Sequence, residues 1–463
     1  MMASVASSPS TAIAPARRCA YAVVRRVFER GAYADRAFQS EAAKLDRRDR
    51  ALAMRLSYGT VQRKGTLDWL IERLAERSVT RLDAPVLAAL RLGLFELLYL
   101  SGAPDRAVVA DAVELAKTNG RGGHGLVNAV LRRAAREGAG TLLDSLDDAT
   151  PEQAAIAHSH PEWIARLWWE RLGAADARAL MAYDNEPGEV ALRANALVTD
   201  ADSLAADLRA SEVACHLDES IPEAVVLDGP FDSHESPLWR SGAFVAQSRA
   251  AMLVARALAP LAGERVLDLC AAPGGKTTHL AALMGGDGEV VAVERNERRA
   301  QELRETARRL RSASVAVEIG DAAKPRASHD RFDRVLVDPP CSGLGTLQAN
   351  PDLRWRMSEQ SIGQMASAQR AILAAGAEAV RVDGVLVYST CTISPIENQL
   401  VIADFLDSHA DFALDDLASL RASIGQPVAA DESSAHGGLP GAVLTLPHRD
   451  HTAGFFIARL RRS

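Results

Sequence analysis

From Ala250 onward the chain alternates short β-branched apolar runs with helical stretches, and five of those runs end on reactive or charged residues. Arg265–Leu269 opens into Cys270-Ala271-Ala272-Pro273-Gly274-Gly275-Lys276-Thr277, and Glu289–Val293 ends at Glu294. Val315–Ile319 leads through Gly320 to Asp321, Val335–Val337 leads to Asp338-Pro339-Pro340-Cys341, and Val385–Val387 runs through Tyr388-Ser389-Thr390 to Cys391. A short run that stops abruptly in turn or polar chemistry reads as a buried parallel strand emerging at its C-terminal end. Alternation of such strands with helices predicts a doubly wound, mostly parallel α/β sheet. Ligands of these sheets bind outside the strands' carboxyl ends. One loaded strand end is unremarkable; five at one edge define a site.

The first of these turns identifies the kind of ligand. A glycine-rich loop between strand and helix lets a ligand approach the backbone closely. Cys270–Thr277 is neither GxGxxG nor GxxxxGK[ST], so pyrophosphate and triphosphate carriers fit it poorly. Glu294, about 20 residues past the loop, suits a ribose diol. The expected ligand is an adenosine carrier without pyrophosphate, S-adenosylmethionine, with its amino-acid end at the loop and its adenine amine at Asp321. NAD is the competing ligand, disfavoured by the missing third glycine.

Two cysteines at one crevice point to covalent chemistry by one thiol and assistance by the other, against the alternative that both are small buried hydrophobes. An exocyclic-amine methyltransferase needs an aromatic residue after its Asp/Asn-Pro-Pro turn, where this chain has Cys341. Carbon 5 of cytosine is a poor nucleophile until a thiolate adds to carbon 6. Such chemistry needs a low-pKa thiol, a group that holds the N3/N4 edge, for which Asp338 is the natural candidate, and help with release. From the residues alone either cysteine can be the nucleophile.

The N-terminal third differs. Residues 17 to about 145 show apolar residues at helical spacing, with helices expected at Arg17–Glu29, Arg47–Gln62, Leu67–Arg77, Pro85–Leu100, Val108–Lys117 and Gly125–Glu137. Residues 1–145 hold 23 Lys and Arg against 15 Asp and Glu, a balance of +8, so the remainder carries −15 of the chain's net −7. A basic module on an acidic body points to nucleic acid as the partner, against the alternative of an ordinary solvated surface. Residues 150–240 read as a small α/β unit, with a helix at Pro161–Leu172, a strand at Val190–Ala194, a helix near Ala201–Ala210 and strands near Val213 and Val225. Residues 1–16 read as a disordered tail without the apolar stretch of a signal peptide.

Nothing approaches the roughly 18 consecutive apolar residues of a membrane span. Five scattered cysteines make no disulfide framework, and metal-ligand spacings such as CxxC are absent, so no metal is expected and the compartment is expected to be the reducing cytoplasm.

Three stretches together, Asp268–Thr277, Asp338–Thr346, and Tyr388–Thr392 with Glu397-Asn398, resemble the RNA 5-methylcytosine methyltransferase family. Residues 17–137 resemble the NusB RNA-binding fold, notably Arg91–Leu97 and Val127–Arg132. The combination is the layout of the bacterial 16S ribosomal RNA cytosine-C5 methyltransferases, the RsmB/Sun group. The resemblance implies a Rossmann-like class I methyltransferase domain at 241–463, a NusB-like domain at 17–145 and a small linker domain at 150–240. It implies Cys391 as the nucleophile, Cys341 as the residue assisting release, and S-adenosylmethionine contacts from Cys270, Ala271, Ala272, Pro273, Gly274, Gly275, Lys276, Glu294, Asp321 and Asp338. The chain departs from the family at Glu294, at Ser248 and at Ala453, where Asp is usual.

The expected protein is thus a cytoplasmic, monomeric, S-adenosylmethionine-dependent enzyme forming 5-methylcytosine in RNA, with 16S ribosomal RNA as its partner. The rivals are a transfer-RNA cytosine methyltransferase and a non-catalytic RNA-binding or antitermination factor. Lys276 is expected in the site and the Trp168-Trp169 pair in the core. Trp355 is expected either to stack a base or order the active-site loop, or simply to pack.

Overall fold

Helix starts and apolar faces shape the first unit of the chain. The computed structural model describes residues 13–118, 122–229, 231–326, 331–417, 419–420, 439 and 441–463, so most of the expected N-terminal tail lies outside the described residues. Two compact units emerge: Met1–Asn185 with Asn350–Arg356, and Glu186–Ala349 with Met357–Ser463. The division at Asn185 falls inside the stretch expected as one linker unit.

The first unit is helical: α1 (Pro15–Arg30), α2 (Ala34–Glu41), α3 (Arg47–Gln62), α4 (Lys64–Ala75), α5 (Ala84–Tyr99), α6 (Asp105–Lys117), α7 (His124–Glu137), α8 (Ala139–Asp144), α9 (Pro151–Ala157) and α10 (Glu162–Tyr183). Asp46 starts α3 by accepting from the Asp49 amide at 2.8 Å, and Glu76 ends α4 in the left-handed region. The sequence pattern missed α2, whose eight residues bury only Ala34, Ala37 and Phe38. Helix α5 is apolar nearly all round and is buried accordingly.

The Arg91–Leu97 stretch is explained by packing within that unit. Arg91 forks onto Asp68 at 2.6 and 2.8 Å, and Glu96 holds Arg17. A Cβ at Gly59 would lie 2.0 Å from the Phe95 ring, so that crossing requires glycine, while one at Gly93 would press on the Leu131 side chain at 2.6 Å. Trp168 is buried at 1% exposure, whereas Trp169 is only half-buried, so the pair is core at one member alone.

Residues 350–356 are part of this unit although they follow Cys341 in the chain. Helix α16 (Leu353–Arg356) buries Arg354 completely, with its guanidinium donating to the carbonyls of Ser159 and Asp184 and to Asn185 Oδ1. Trp355 donates to the Val61 carbonyl at 2.7 Å and lies under Lys64, 4.5 Å from Nζ to ring centroid. Packing thus occupies the indole of Trp355.

The second unit opens with β1 (Val190–Ala194), α11 (Ala201–Ala210), β2 (Cys215–Leu217), β3 (Ala224–Leu227), α12 (Pro237–Arg240) and β4 (Phe244–Ala246). The four strands form an antiparallel sheet of order β2-β3-β1-β4. The strand expected near Val213 begins at Cys215, because Val213 instead closes the turn after α11 by donating to the Leu208 carbonyl. The expected strands omitted β4, whose three residues are too few for a periodic signal.

A larger sheet follows, with α13 (Arg249–Leu258), β5 (Arg265–Leu269), α14 (Gly275–Leu283), β6 (Glu289–Glu294), α15 (Glu297–Arg309), β7 (Val315–Ile319) and β8 (Phe332–Val337). It continues with α17 (Glu359–Ala379), β9 (Val380–Thr390), α18 (Gln399–Ser408), β10 (Phe412–Asp415), β11 (Val443–Leu444) and β12 (Phe456–Arg462). Its order is β10-β12-β9-β8-β5-β6-β7, with β11 beside β12. The strands from β9 to β7 are parallel, while β10, β11 and β12 are antiparallel.

Period-two alternation covers both faces of this sheet. Leu267, Leu269, Val335, Val337, Leu386 and Tyr388 pack under α17 and α18, while Val266, Leu336, Val385 and Val387 pack under α13 and α14. Each such side chain contributes roughly 1.5–3 kcal/mol on burial. The antiparallel edge was not foreseen, because Arg459, Arg461 and Arg462 make β12 look polar. In the fold they pair with Asp415 and Asp411. The order reverses between β5 and β8, which places a crevice at their carboxyl ends.

Candidate active site

At the end of β5 the chain turns through Cys270 in the left-handed region (φ 68) and Gly274 (φ 104) before entering α14. The φ of Gly274 is one that glycine favours, and a Cβ there would also press on the Leu303 side chain of α15 at 2.4 Å. Thr277 donates to buried Asp268 at 2.6 Å, and Thr278 donates to the Gly274 carbonyl at 2.7 Å. Burial pushes the Asp268 carboxyl up to about 7, against the Thr277 hydrogen bond. Burial, helped by the carboxylates of Asp338, Asp268 and Glu294, pushes the Cys270 thiol up to about 12. Cys270 is therefore no thiolate nucleophile.

Lys276 leans from the first turn of α14 to Asp338 beyond β8, with Nζ 2.7 Å from Oδ2, while Ser389 of β9 donates to Oδ1 at 2.8 Å. Burial opposes the Lys276 ammonium, but the charge and hydrogen bond of Asp338 outweigh it and raise its pKa. Asp338 is thus gripped from both sides and a quarter exposed at its side chain.

The two thiols lie beside it. Cys341 and Cys391 are both half-buried, with Sγ atoms 3.3 Å apart, close enough to share a hydrogen bond. That hydrogen bond from Cys341 lowers the Cys391 pKa, with Lys276 helping and desolvation opposing. The same bond, with burial, raises Cys341 well above the ordinary thiol value. Of the two, Cys391 is therefore the more readily ionised thiol and Cys341 the one that holds its proton more firmly.

Two adjacent residues fix the backbone on either side of this pair. Glu397 accepts from the Ser342 amide at 2.8 Å, directly after Cys341, and from the Ser342 hydroxyl. Asn398 accepts from the Thr390 hydroxyl and donates to the Thr392 carbonyl at 2.8 Å, bracketing Cys391. Both are fully buried. The Cys391 carbonyl accepts from Gly345 at 3.0 Å, and the Gly345 carbonyl from Gly454 at 2.7 Å. A Cβ on Gly345 would sit 2.0 Å from the Gly454 oxygen, which is why glycine stands at that crossing.

On the other side of the loop, Glu294 is 3% exposed, accepts from the Asn296 amide at 2.8 Å and faces Arg299 at 3.4 Å. Arg299 also donates to the Ala272 carbonyl at 2.6 Å, tying the loop to the end of β6. Asp321 borders a cavity of 380 Å³ with Leu269, Val293, Gly320 and Lys324. Glu318, Pro325 and Arg326 complete the lining, so one side is apolar at Leu269, Val293 and Pro325, the other is charged, and Asp321 offers an acceptor to an amine.

Comparison with known proteins identifies the family. The model of the family described as 16S rRNA methyltransferase RsmB/F matches residues 255–461, that of the NusB family matches 14–136, and that of the ferredoxin-like domain of RsmF/B-like methyltransferases matches 160–234. The probable ribosomal RNA small subunit methyltransferase B of Synechocystis sp. is 36% identical, covering 97% of this chain and 99% of that one. Its counterpart from Bacillus subtilis is 34% identical, covering 90% and 92%. The chain belongs to the RsmB/F methyltransferase family. The crystal structure of PH0851 superimposes with a TM-score of 0.81 at 26% identity, covering 98% of this chain and 99% of that one.

As an RsmB/F methyltransferase, the chain carries its expected site residues at one edge of the large sheet. Cys270–Lys276 follows β5, Glu294 closes β6, Asp321 follows β7, Asp338 and Cys341 follow β8, and Cys391 follows β9. Ser248, one of the departures, caps α13 by accepting from the Ala251 amide at 3.3 Å. The sequence showed Ser342, Ser389, Glu397 and Asn398 without revealing what they hold. The one available signal was a polar pair, Glu397-Asn398, just ahead of a helix and six residues past a reactive cysteine. Among the described residues no group of three or more His, Cys, Asp or Glu is placed to hold a metal ion, and no helix is long and apolar enough to cross a membrane.

Proposed function

We propose that this RsmB/F methyltransferase methylates carbon 5 of a cytosine in RNA, with 16S ribosomal RNA as substrate, acting as a cytoplasmic monomer. The observation that carries this reading is the thiol pair, with Cys391 lowered and Cys341 raised across 3.3 Å, next to Asp338. S-adenosylmethionine, when bound, supplies an electrophilic methyl group. The glycine-bearing loop Cys270–Lys276 receives its amino-acid end, Glu294 its ribose diol and Asp321 its adenine amine. The open space at Gly275, where a Cβ would meet nothing within 4 Å, and the cavity beside Asp321 support that fit.

The chain's own groups then do the following. Cys391, as thiolate, forms a bond to carbon 6, and the displaced π electrons make carbon 5 nucleophilic. Asp338, held by Lys276 and Ser389, fixes the N3/N4 edge of the pyrimidine. Once carbon 5 carries the methyl group, its proton leaves, the sulfur–carbon bond breaks and the ring double bond returns. Cys341 assists that release.

Bisulfite sequencing of total RNA from cells with and without the gene tests the reading. The expected result is one or more 16S cytosines protected from conversion only when the gene is present. Protection confined to transfer RNA would move the substrate, and no gene-dependent protection would overturn the reaction.

A further inference from the structure

Arg193 is a fully buried cation with no carboxylate among its hydrogen-bond partners in the described residues. It lies on β1, the strand between β3 and β4, and is 1% exposed. Its Nη2 donates to the Gly275 carbonyl at 3.2 Å and to Thr278 Oγ1 at 3.1 Å, both in the first turn of α14. Its Nε and Nη1 are buried without a partner. The nearby carboxylate, Glu223, is taken by His279 Nε2 at 2.8 Å and Arg256 Nη1 at 3.0 Å. The Arg193 pKa is lowered to about 9, chiefly by burial, with the charge of Glu223 opposing and that of Arg309 adding to the shift.

Stability alone does not account for such a residue. A buried guanidinium with two unsatisfied groups is less favourable than an apolar side chain of similar volume. What it gains is control of the loop. Thr278, which accepts from Arg193, donates to Gly274, the residue whose φ of 104° turns the chain into α14. Arg193 therefore reaches Gly274 through one hydroxyl and Gly275 directly. Its positive charge also lies behind the helix N-terminus, where an anionic group is favoured.

We infer that Arg193 is a positioning residue for the carboxylate of the methyl donor's amino-acid end: from the small antiparallel sheet it holds the Gly274–Thr278 turn in shape and adds positive charge behind it. The inference rests on the reading of Cys270–Lys276 as the amino-acid end of an S-adenosylmethionine site. The small sheet thereby contributes to cofactor recognition through a residue that never touches the cofactor.

Calorimetry on the full chain with two probes separates this role from a structural one. S-adenosylhomocysteine carries the amino-acid end, whereas 5′-methylthioadenosine ends before it. Arg193→Met should weaken S-adenosylhomocysteine by about tenfold or more, the scale of one good hydrogen bond, and change 5′-methylthioadenosine by less than about twofold. Arg193→Lys should recover part of the loss, and KM for S-adenosylmethionine should rise more than kcat falls. Should Arg193→Met not fold, Thr278→Val decides: it removes the relay hydroxyl at nearly constant volume and should show the same selective loss. Equal losses for the two probes, or no loss for S-adenosylhomocysteine, would overturn the inference. Binding of neither probe by the native protein would instead bring down the cofactor reading, and this inference with it.

Discussion

At the scale of single residues, the site depends on where one proton sits. Cys391 is lowered chiefly because Cys341 donates to it across 3.3 Å. Cys341→Ala removes that donor, so the Cys391 pKa should rise and its alkylation by iodoacetamide should move to higher pH. Mass spectrometry of the Cys391 peptide across a pH series checks this, and an unmoved profile would remove the hydrogen bond as the cause. The two thiols should also differ in product. Cys391→Ala should abolish methyl transfer and leave no covalent RNA species on denaturing gels, whereas Cys341→Ala should accumulate the adduct. The reverse pattern would exchange their roles. Asn398→Ala frees both flanks of Cys391 at once. It should lower kcat by about ten- to a hundredfold, as loss of positioning does, while cofactor affinity measured by calorimetry holds.

At the scale of elements, charge on the helical unit is partly spent on itself. Arg17, Arg25, Arg26, Arg91 and Arg133 are all paired with carboxylates of the same unit. Exposed cations without such ion pairs concentrate along the chain from the end of α1 through α3, where Arg30, Arg36, Lys44, Arg47, Arg48 and Arg55 all face solvent. Phosphate contacts there would release counterions, so binding would weaken as salt rises. Reversing Arg47, Arg48 and Arg55 to Glu should weaken RNA binding and flatten its salt dependence. Cofactor affinity should stay the same, because every proposed cofactor contact lies beyond residue 265. A salt titration that gives the native slope for the triple variant would place the RNA contact elsewhere. The +8 balance of residues 1–145 could not make this distinction, because a count does not know which arginines already have partners.

At the scale of the whole molecule, the chain's order and its units do not coincide. Residues 350–356 come late in the sequence yet complete the helical unit, where Arg354 serves carbonyls left over at the ends of distant segments. Burial lowers its pKa to about 10, so it remains a cation at neutral pH. Arg354→Ala takes the guanidinium donor from the Ser159 carbonyl and Asn185 Oδ1, while the Asp184 carbonyl keeps Gln62, and should cost about 1–3 kcal/mol for each acceptor left unpaired. Thermal denaturation should show the loss, and a melting temperature within a degree of the native value would refute it. Truncation near residue 146 is a poor probe of the unit, since it strips α9, α10 and this segment of their partners. Gly65 and Thr66, for example, bond Ser159 and Ile156.

Local pattern determined a great deal of this protein. Short β-branched apolar runs ending on reactive or charged residues located β5, β6, β7, β8 and β9, and helical spacing located most of the first unit. The reactive residues were legible because chemistry at a strand end needs a specific atom, and that atom is written in the residue type. Tertiary structure alone decided the rest. The antiparallel edge was hidden by arginines whose carboxylates lie about 45 residues away in sequence. Trp355 was left open between base and core until the Val61 carbonyl came within 2.7 Å of it. The grip of Glu397 on Ser342 and of Arg193 on Gly275 joins residues 55 and 82 positions apart. The physical reason is the same in each case. An apolar run announces its burial by its own period, whereas a polar side chain acquires its role only when folding delivers a partner, and no local pattern records which partner that is.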